Sequence, residues 1–298
     1  MKISVVMAVY NGAAALPATL ASIAAQCEGD YELIVIDDGS TDATPSILAS
    51  VGDARLRVIT QPNAGLTRAL MRGCSEARGE FIARHDCGDR SHPERFARQL
   101  SALASNPECV LVASATRFLG PEGEELYVAE AHGDAVRESL LHDDRAHIRG
   151  IPHHASALFR RSDYVAAGGY RERFRYAQDL DLWIRLARRG QFTILDEVLY
   201  EATIAPRSIS SLHRSEQERL TEIAIALRDG GDEAELLAEA ARVQPSGTAT
   251  SRDEAAGLYF IARCLLRRGD RAGRKYAMRA VARNPLHWRA WASLLLGR

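Results

Sequence analysis

The segment Ala83-Arg84-His85-Asp86-Cys87-Gly88-Asp89 ends a short apolar run with two carboxylates three positions apart. Carboxylates spaced this way in a loop can hold a hard cation such as Mg²⁺ or Mn²⁺ and leave coordination positions for phosphate oxygens. They can equally shape a turn and cap the helix that opens at Pro93. An earlier acidic strand end is Ile36-Asp37-Asp38-Gly39-Ser40. Its carboxylates suit ribose hydroxyls or a base N–H, or, with Ser40 and Thr41, a turn and a helix cap. A third acidic group, Gln178-Asp179-Leu180-Asp181, opens a helix. A carboxylate there complements the helix dipole or acts as a general base aimed into a cleft. His154 and His213 could touch phosphates or a metal, or be structural. Arg68, Arg84, Arg160 and Arg207 could neutralise a diphosphate through forked contacts.

These groups need a scaffold, and the first half of the chain supplies an alternating one. Residues 3–9, 32–37, 56–59, 81–85 and 110–115 read as strands. Short, nearly all-apolar runs are what a parallel sheet covered on both faces requires. Helices are expected at 14–25, from Thr44-Pro45, from Asn63-Ala64-Gly65 to Ser75, and from Pro93 to Ser105. The alternation implies an α/β sheet with right-handed crossovers, whose ligands gather at the carboxyl ends of the strands. Gly120-Pro121-Glu122-Gly123 marks a hairpin turn. Further on, helices are expected at 134–142 and 178–189, and strands at 157–159, 192–195 and 198–201. The chain reads as helical after residue 215, with breaks at Gly230-Gly231 and at 244–251. Residues 253–297 resemble a tetratricopeptide hairpin, too short to be a solenoid alone. The expected domains are 1–215, carrying the site, and 216–298, a small all-α segment. Trp288, Trp291 and residues 294–296 suit either the core of a terminal helix or a contact with a membrane surface or partner protein.

Composition narrows the classes. The net charge of −1 argues against a broad nucleic-acid surface, which would show a basic excess. The five cysteines form no CxxC pair, which points to free thiols in a reducing cytosol rather than a zinc site or disulfides. The start of the chain mimics a secretion signal, but Tyr10-Asn11-Gly12 interrupts its apolar run early. No segment approaches the ~18 apolar residues of a membrane span. The first strand is followed by neither GxGxxG nor a P-loop, which removes the usual dinucleotide and NTPase fingerprints.

The order of the motifs is more specific than any one of them. Residues 3–12 (ISVVMAVYNG), 32–42 (ELIVIDDGSTD) and 63–66 (NAGL) resemble family 2 glycosyltransferases of the GT-A fold. So do 84–96, with Pro93-Glu94-Arg95-Phe96, then 156–161, Gly168-Gly169-Tyr170 and 178–186. The resemblance implies a mixed, mostly parallel central sheet flanked by helices. It also implies inverting transfer of a sugar from a nucleotide-diphosphate donor to a glycan or lipid-linked hydroxyl acceptor, in bacterial cell-surface polysaccharide or glycoconjugate synthesis. Ala8, Tyr10 and Asp38 would contact the nucleotide, and Asp86 would sit beside the donor diphosphate with Arg68, Arg84 and His154 as further donor-side contacts. Asp179 would be the catalytic base. The divalent cation, Mg²⁺ or Mn²⁺, would lie on Asp86 and Asp89, with His213 as an added ligand. The implied location is the cytoplasm, or the inner face of the membrane through the C-terminal helices. Three positions depart from the family pattern: Ala8 replaces a Pro, Gln178 a Glu, and Gly88 the second Asp of DxD. The last two departures motivate an alternative, a non-catalytic nucleotide-sugar binder or scaffold of the same fold.

Overall fold

The computed structural model describes residues 1–207, 212–244 and 250–296. The expected break at 244–251 therefore lies largely outside the described residues, as does the Ser-rich stretch before His213. Two compact units emerge. The first comprises 1–116, 129–201 and 220–242; the second comprises 117–128, 202–219 and 243–298. The partition is not sequential: part of the helical region after 215 groups with the α/β unit.

In the first unit, β1 (Ile3–Val9), β2 (Tyr31–Asp37), β3 (Leu56–Thr60) and β4 (Phe81–Asp86) pair in parallel in the order β3-β2-β1-β4. Every residue of β2 is buried, and β1 is buried but for Ala8. Their near-continuous apolar runs follow from helices covering both faces. The connecting helices are α1 (Leu16–Ala24), α2 (Thr44–Ser50) and α3 (Leu66–Ser75). Pro stands in the first turn of both α1 and α2, where its missing N–H costs nothing.

Beyond β4 the sheet departs from the expected parallel series. A two-residue strand, β5 (Arg90–Ser91), precedes α4 (Arg95–Ser105), which starts two residues after Pro93. The fifth long strand, β6 (Cys109–Leu119), does not pair with β4. Between them lies β8 (Leu158–Arg160), antiparallel to both, so the sheet is mixed. The hairpin partner of β6 is β7 (Glu125–Ala129), as the Gly-Pro-Glu-Gly turn predicts. The two short strands expected near 192–201 are one strand, β9 (Gln191–Thr203). Asp196 and Glu197, which read as a break, are exposed on that strand. The full order is β3-β2-β1-β4-β8-β6-β9-β5. The helices α5 (Gly133–His142), α6 (Arg161–Ala166) and α7 (Gln178–Ala187) complete the middle of the chain. They are followed by α8 (Arg214–Arg228) and α9 (Glu233–Arg242).

The second unit contains α10 (Ser251–Arg267), α11 (Ala272–Arg283) and α12 (Trp288–Leu296). Thr250 and Asp253 form a reciprocal capping box that starts α10, and Gly269 at φ 77° ends it. Leu258, Ile261, Leu265, Tyr276, Ala280 and Ala290 form its buried cluster with Leu126. Among the described residues no helix is long and apolar enough to cross a membrane.

Candidate functional site

The register of the sheet sets the site. Ala8 lies beside Ile36 on one side and Asp86 on the other, so β1, β2 and β4 end together. Tyr10, just past β1, is 53% exposed. Asn11 ties this end to the loop after β2: its N–H donates to Ser40 Oγ at 2.9 Å, and its Oδ1 accepts from Thr41 N at 2.8 Å. Asp38 is buried and accepts three hydrogen bonds, from Gln61 Nε2 (2.7 Å), Ala64 N (2.9 Å) and Gly65 N (2.8 Å). It therefore fixes the loop that opens α3. Gln61 and Ala64 also line a shallow groove that includes Arg68. Arg68 is half-exposed and paired with Glu172.

The corner around Asp86 is the most organised part of the site. Arg84 is fully buried. Its Nη1 donates to the carbonyls of Val6 (3.1 Å) and His85 (2.7 Å), and its Nη2 to Asp86 Oδ1. Its Nε lies 3.3 Å from His154 Nε2, which in turn is 2.6 Å from the Tyr170 hydroxyl. Arg84 and His154 are thus turned inward, with the guanidinium held on Asp86 and two backbone carbonyls. Burial holds His154 well below the usual imidazole range, helped by the Arg84 charge, so its ring is neutral and its Nε2 can accept. Burial alone would raise the Asp86 carboxyl, but the Arg84 guanidinium, by its charge and its hydrogen bond, outweighs it and holds it below the usual range. Asp86 stays ionised with one oxygen committed to Arg84.

The loop after Asp86 is held at both ends. Asp89 N donates to Asp86 O at 3.3 Å. Thr19 of α1 accepts from Gly88 N at 3.0 Å and donates to Asp89 O at 3.0 Å. Then β5 pairs antiparallel with Tyr200 and Glu201 of β9. A Cβ on Gly12 would lie 2.7 Å from Cys87 Sγ, so the close approach of the two loops requires glycine there. Gly88 has φ 104°, and a Cβ there would meet only Ala15 Cβ, at 3.9 Å. A carboxylate at this position is therefore opposed by backbone conformation and not by space. Gly88→Asp should lower stability by about 1–2 kcal/mol, read as a drop in the thermal midpoint; an unchanged midpoint would contradict this reading of the turn.

A histidine does reach this corner. Ligand atoms of Asp86, Asp89 and His153 lie within 4.8 Å of one another. Donors about one ion with bonds of about 2.1 Å stand at most about 4.2 Å apart, so the three would draw in slightly around one, and two carboxylates with an imidazole suit Mn²⁺ or a similar cation. Burial depresses the His153 imidazole to about 4, which keeps it in the neutral, ligating form. His213 belongs to the second unit, where it faces Glu216 at 3.8 Å.

Tyr200 of β9 supports the corner. Its hydroxyl accepts from Asp86 N at 3.1 Å, and its ring meets His85 edge-on at 5.2 Å. The His153 ring lies 5.6 Å away and the Arg95 guanidinium 4.8 Å over its face. Sequence reasoning missed His153 and Tyr200, because nothing in local spacing ties them to a motif more than sixty residues away; Tyr170 stood in the Gly168-Gly169-Tyr170 motif but was given no role. His153 had one usable signal, its place beside His154 before a strand that returns to β4.

Asp179 sits in the first turn of α7, entered through Ala177 in the left-handed conformation at φ 53°. One carboxylate oxygen accepts from Leu180 N at 2.9 Å. Burial raises its carboxyl above the usual range; Arg84 works against the rise and Asp86 adds to it. Asp181, two residues on, pairs with Arg171 at 3.3 Å and with Arg185, so it ties α7 into the fold. The site thus holds one carboxylate kept ionised and one whose charge is resisted, an arrangement that separates electrostatic from proton-transfer roles.

Comparison with known proteins agrees with this geometry. The Glycosyl transferase family 2 model matches residues 4–166. EpsE of Bacillus subtilis, named as a glycosyltransferase, is 31% identical over 208 residues, covering 67% of this chain and 72% of that protein. The amylovoran biosynthesis glycosyltransferase AmsE of Erwinia amylovora is 28% identical, covering 63% and 70%. Among solved structures, TarS (residues 1–349) of S. aureus with UDP-GlcNAc superposes with a TM-score of 0.61 at 18% identity, covering 100% of this chain and 93% of that one. The mannosyltransferase PcManGT of Pyrobaculum calidifontis, in complex with GDP-Man and Mn²⁺, also gives 0.61 at 18%, covering 98% and 83%. The fold is therefore GT-A, and the chain, matched over more than half its length by the family model, is a glycosyltransferase of family 2.

Proposed function

We propose that this chain moves a sugar from a nucleoside-diphosphate donor to a hydroxyl of a growing glycan, with inversion, in the synthesis of a surface polysaccharide. The observation that carries the reading is the pairing of Asp86 with Asp179: the first is held ionised by Arg84, and the second is raised by burial. A sugar hydroxyl is a poor nucleophile until its proton is removed. Asp179 takes that proton, the oxygen bonds to the anomeric carbon, and the carbon–phosphate-oxygen bond breaks with its electron pair leaving on the diphosphate. Attack from the face opposite the leaving group inverts the centre, and no covalent enzyme intermediate is required. Asp86, Asp89 and His153 fit a divalent cation, which when bound supplies positive charge against the leaving diphosphate. Asp38 organises the nucleotide-side loop, beside Ala8 and Tyr10.

Support for the donor class comes from the fold relatives, whose complexes hold UDP-GlcNAc in one case and GDP-Man with Mn²⁺ in another. Support for the pathway comes from AmsE, named for amylovoran biosynthesis. The test is calorimetry with UDP- and GDP-sugars with and without Mn²⁺, followed by transfer to oligosaccharide acceptors and anomeric analysis of the product by NMR. Inverted product supports the reading. Retained configuration overturns the mechanism, and tight donor binding with no transfer to any acceptor favours the scaffold alternative.

A further inference from the structure

The last helix of the second unit is apolar on both sides. Ala290 and Ser293 of α12 are buried at 0% and 6%, and Leu294 packs against the same cluster. The opposite stripe, Trp288, Trp291 and Leu295 at i, i+3 and i+7, is 69%, 45% and 80% exposed. Leu286, just before the helix, is 82% exposed. Large aromatic and aliphatic residues on the solvent side of a helix mark an interaction surface. The charge around them is one-sided: residues 271–298 contain seven Arg or Lys and no Asp or Glu, in a chain whose net charge is −1. Lys275 and Arg279 pair with Glu122, and Arg283 with Glu254. Arg271, just before α11 and beside Asp270, and Arg274 in its first turn are exposed, as is Met278 at 58%, and the Arg289 guanidinium lies over the Trp288 ring at 5.3 Å.

We propose that this face of α11 and α12 docks on an anionic lipid bilayer, with the Trp and Leu side chains at the headgroup level and the arginines on lipid phosphates. Tryptophan is favoured at that depth, where its apolar ring and its N–H are both accommodated. A basic, Trp- and Leu-bearing helix face is the pattern of an interfacial helix, not of a spanning one. A nucleic acid or an acidic protein surface would match the charge, but exposed leucines beside tryptophans and arginines are what the headgroup layer accommodates.

The experiment uses the full chain with phosphatidylcholine vesicles, alone or mixed with phosphatidylglycerol. Co-sedimentation is expected only with the mixed vesicles, falling as salt is added, with a blue shift of tryptophan emission. Trp288→Ser with Leu295→Ser, and separately Arg271→Glu with Arg274→Glu, should each weaken partitioning by tenfold or more. These exposed positions should leave the circular dichroism spectrum and the thermal midpoint unchanged. Equal binding of both variants and the parent, or no binding to the mixed vesicles, overturns the proposal. So does a concentration-dependent dimer, lost in the Trp288→Ser, Leu295→Ser variant, in place of vesicle binding.

Discussion

Asp179→Asn is expected to fold normally and to lose sugar transfer by about 10²-fold or more, the range for removal of a positioned acid–base group. The sign of the stability change makes the prediction specific. The folded pKa of Asp179 is raised, so the native state resists its charge. That cost is absent below the ordinary carboxylate pKa, grows as pH rises from there to the raised value, and is complete above it. The Asn variant removes it, so at neutral pH the variant should be as stable as the parent or more so, with the difference vanishing in acid. Activity should follow the opposite sense in the parent, falling as pH drops through the raised Asp179 pKa and before ordinary carboxylates protonate. Parallel thermal melts and pH–rate profiles check both. Near-normal transfer by Asp179→Asn would remove it from the base role, and a large loss of stability would show that the side chain is structural.

Asp86→Ala is expected to damage both fold and activity, and Asp86→Asn chiefly activity. The Ala variant leaves the Arg84 guanidinium, fully buried, without its charged partner. Breaking such a pair costs several kcal/mol when both partners are buried. Because the Asp86 side chain is 34% exposed, the cost here is discounted to about 2 kcal/mol. Asn keeps an oxygen for Arg84 and should restore most of that stability. Transfer should fall by about 10²-fold or more in both, since a neutral side chain would no longer hold the cation that offsets the leaving diphosphate. The folded pKa of Asp86 is depressed, so its stabilising contribution is present above the ordinary carboxylate pKa and is lost as pH falls below it. Urea titrations from neutral to acid pH should show the parent and the Ala variant converging at the acid end. Retention of stability by Asp86→Ala would contradict the coupling to Arg84.

The strands that position the site were legible because β1, β2 and β4 are buried on both faces and so carry continuous apolar runs. Asp38, Asp86 and Asp179 were legible because each stands at a strand or helix end within an ordered set of motifs. What escaped was set by tertiary pairing. The short β8 wedges antiparallel between β4 and β6, and no local pattern distinguishes that from a parallel neighbour. Arg84 follows apolar residues in a strand that ends at a site, which suggested a phosphate contact. Its burial beneath Asp86 depends on His154 and Tyr170, both brought from later in the chain. His153 is absent from the expected ligand set for the same reason, and the one continuous β9 was hidden by the solvent-facing Asp196 and Glu197.

We propose that the Asp86 corner holds a divalent cation against a nucleoside diphosphate, with His153 standing in for the carboxylate missing at Gly88. Electron spin-echo spectroscopy of Mn²⁺ added to the protein with UDP or GDP tests it in one measurement. The expected result is ³¹P coupling from the diphosphate together with coupling to one directly bound ¹⁴N. The nitrogen signal should vanish in His153→Ala while the phosphorus signal persists, and Mn²⁺ binding should be lost in Asp86→Asn. Mn²⁺ that binds without ³¹P coupling, or binding indifferent to Asp86, would contradict the claim; a nitrogen signal that survives His153→Ala would remove that residue from the site.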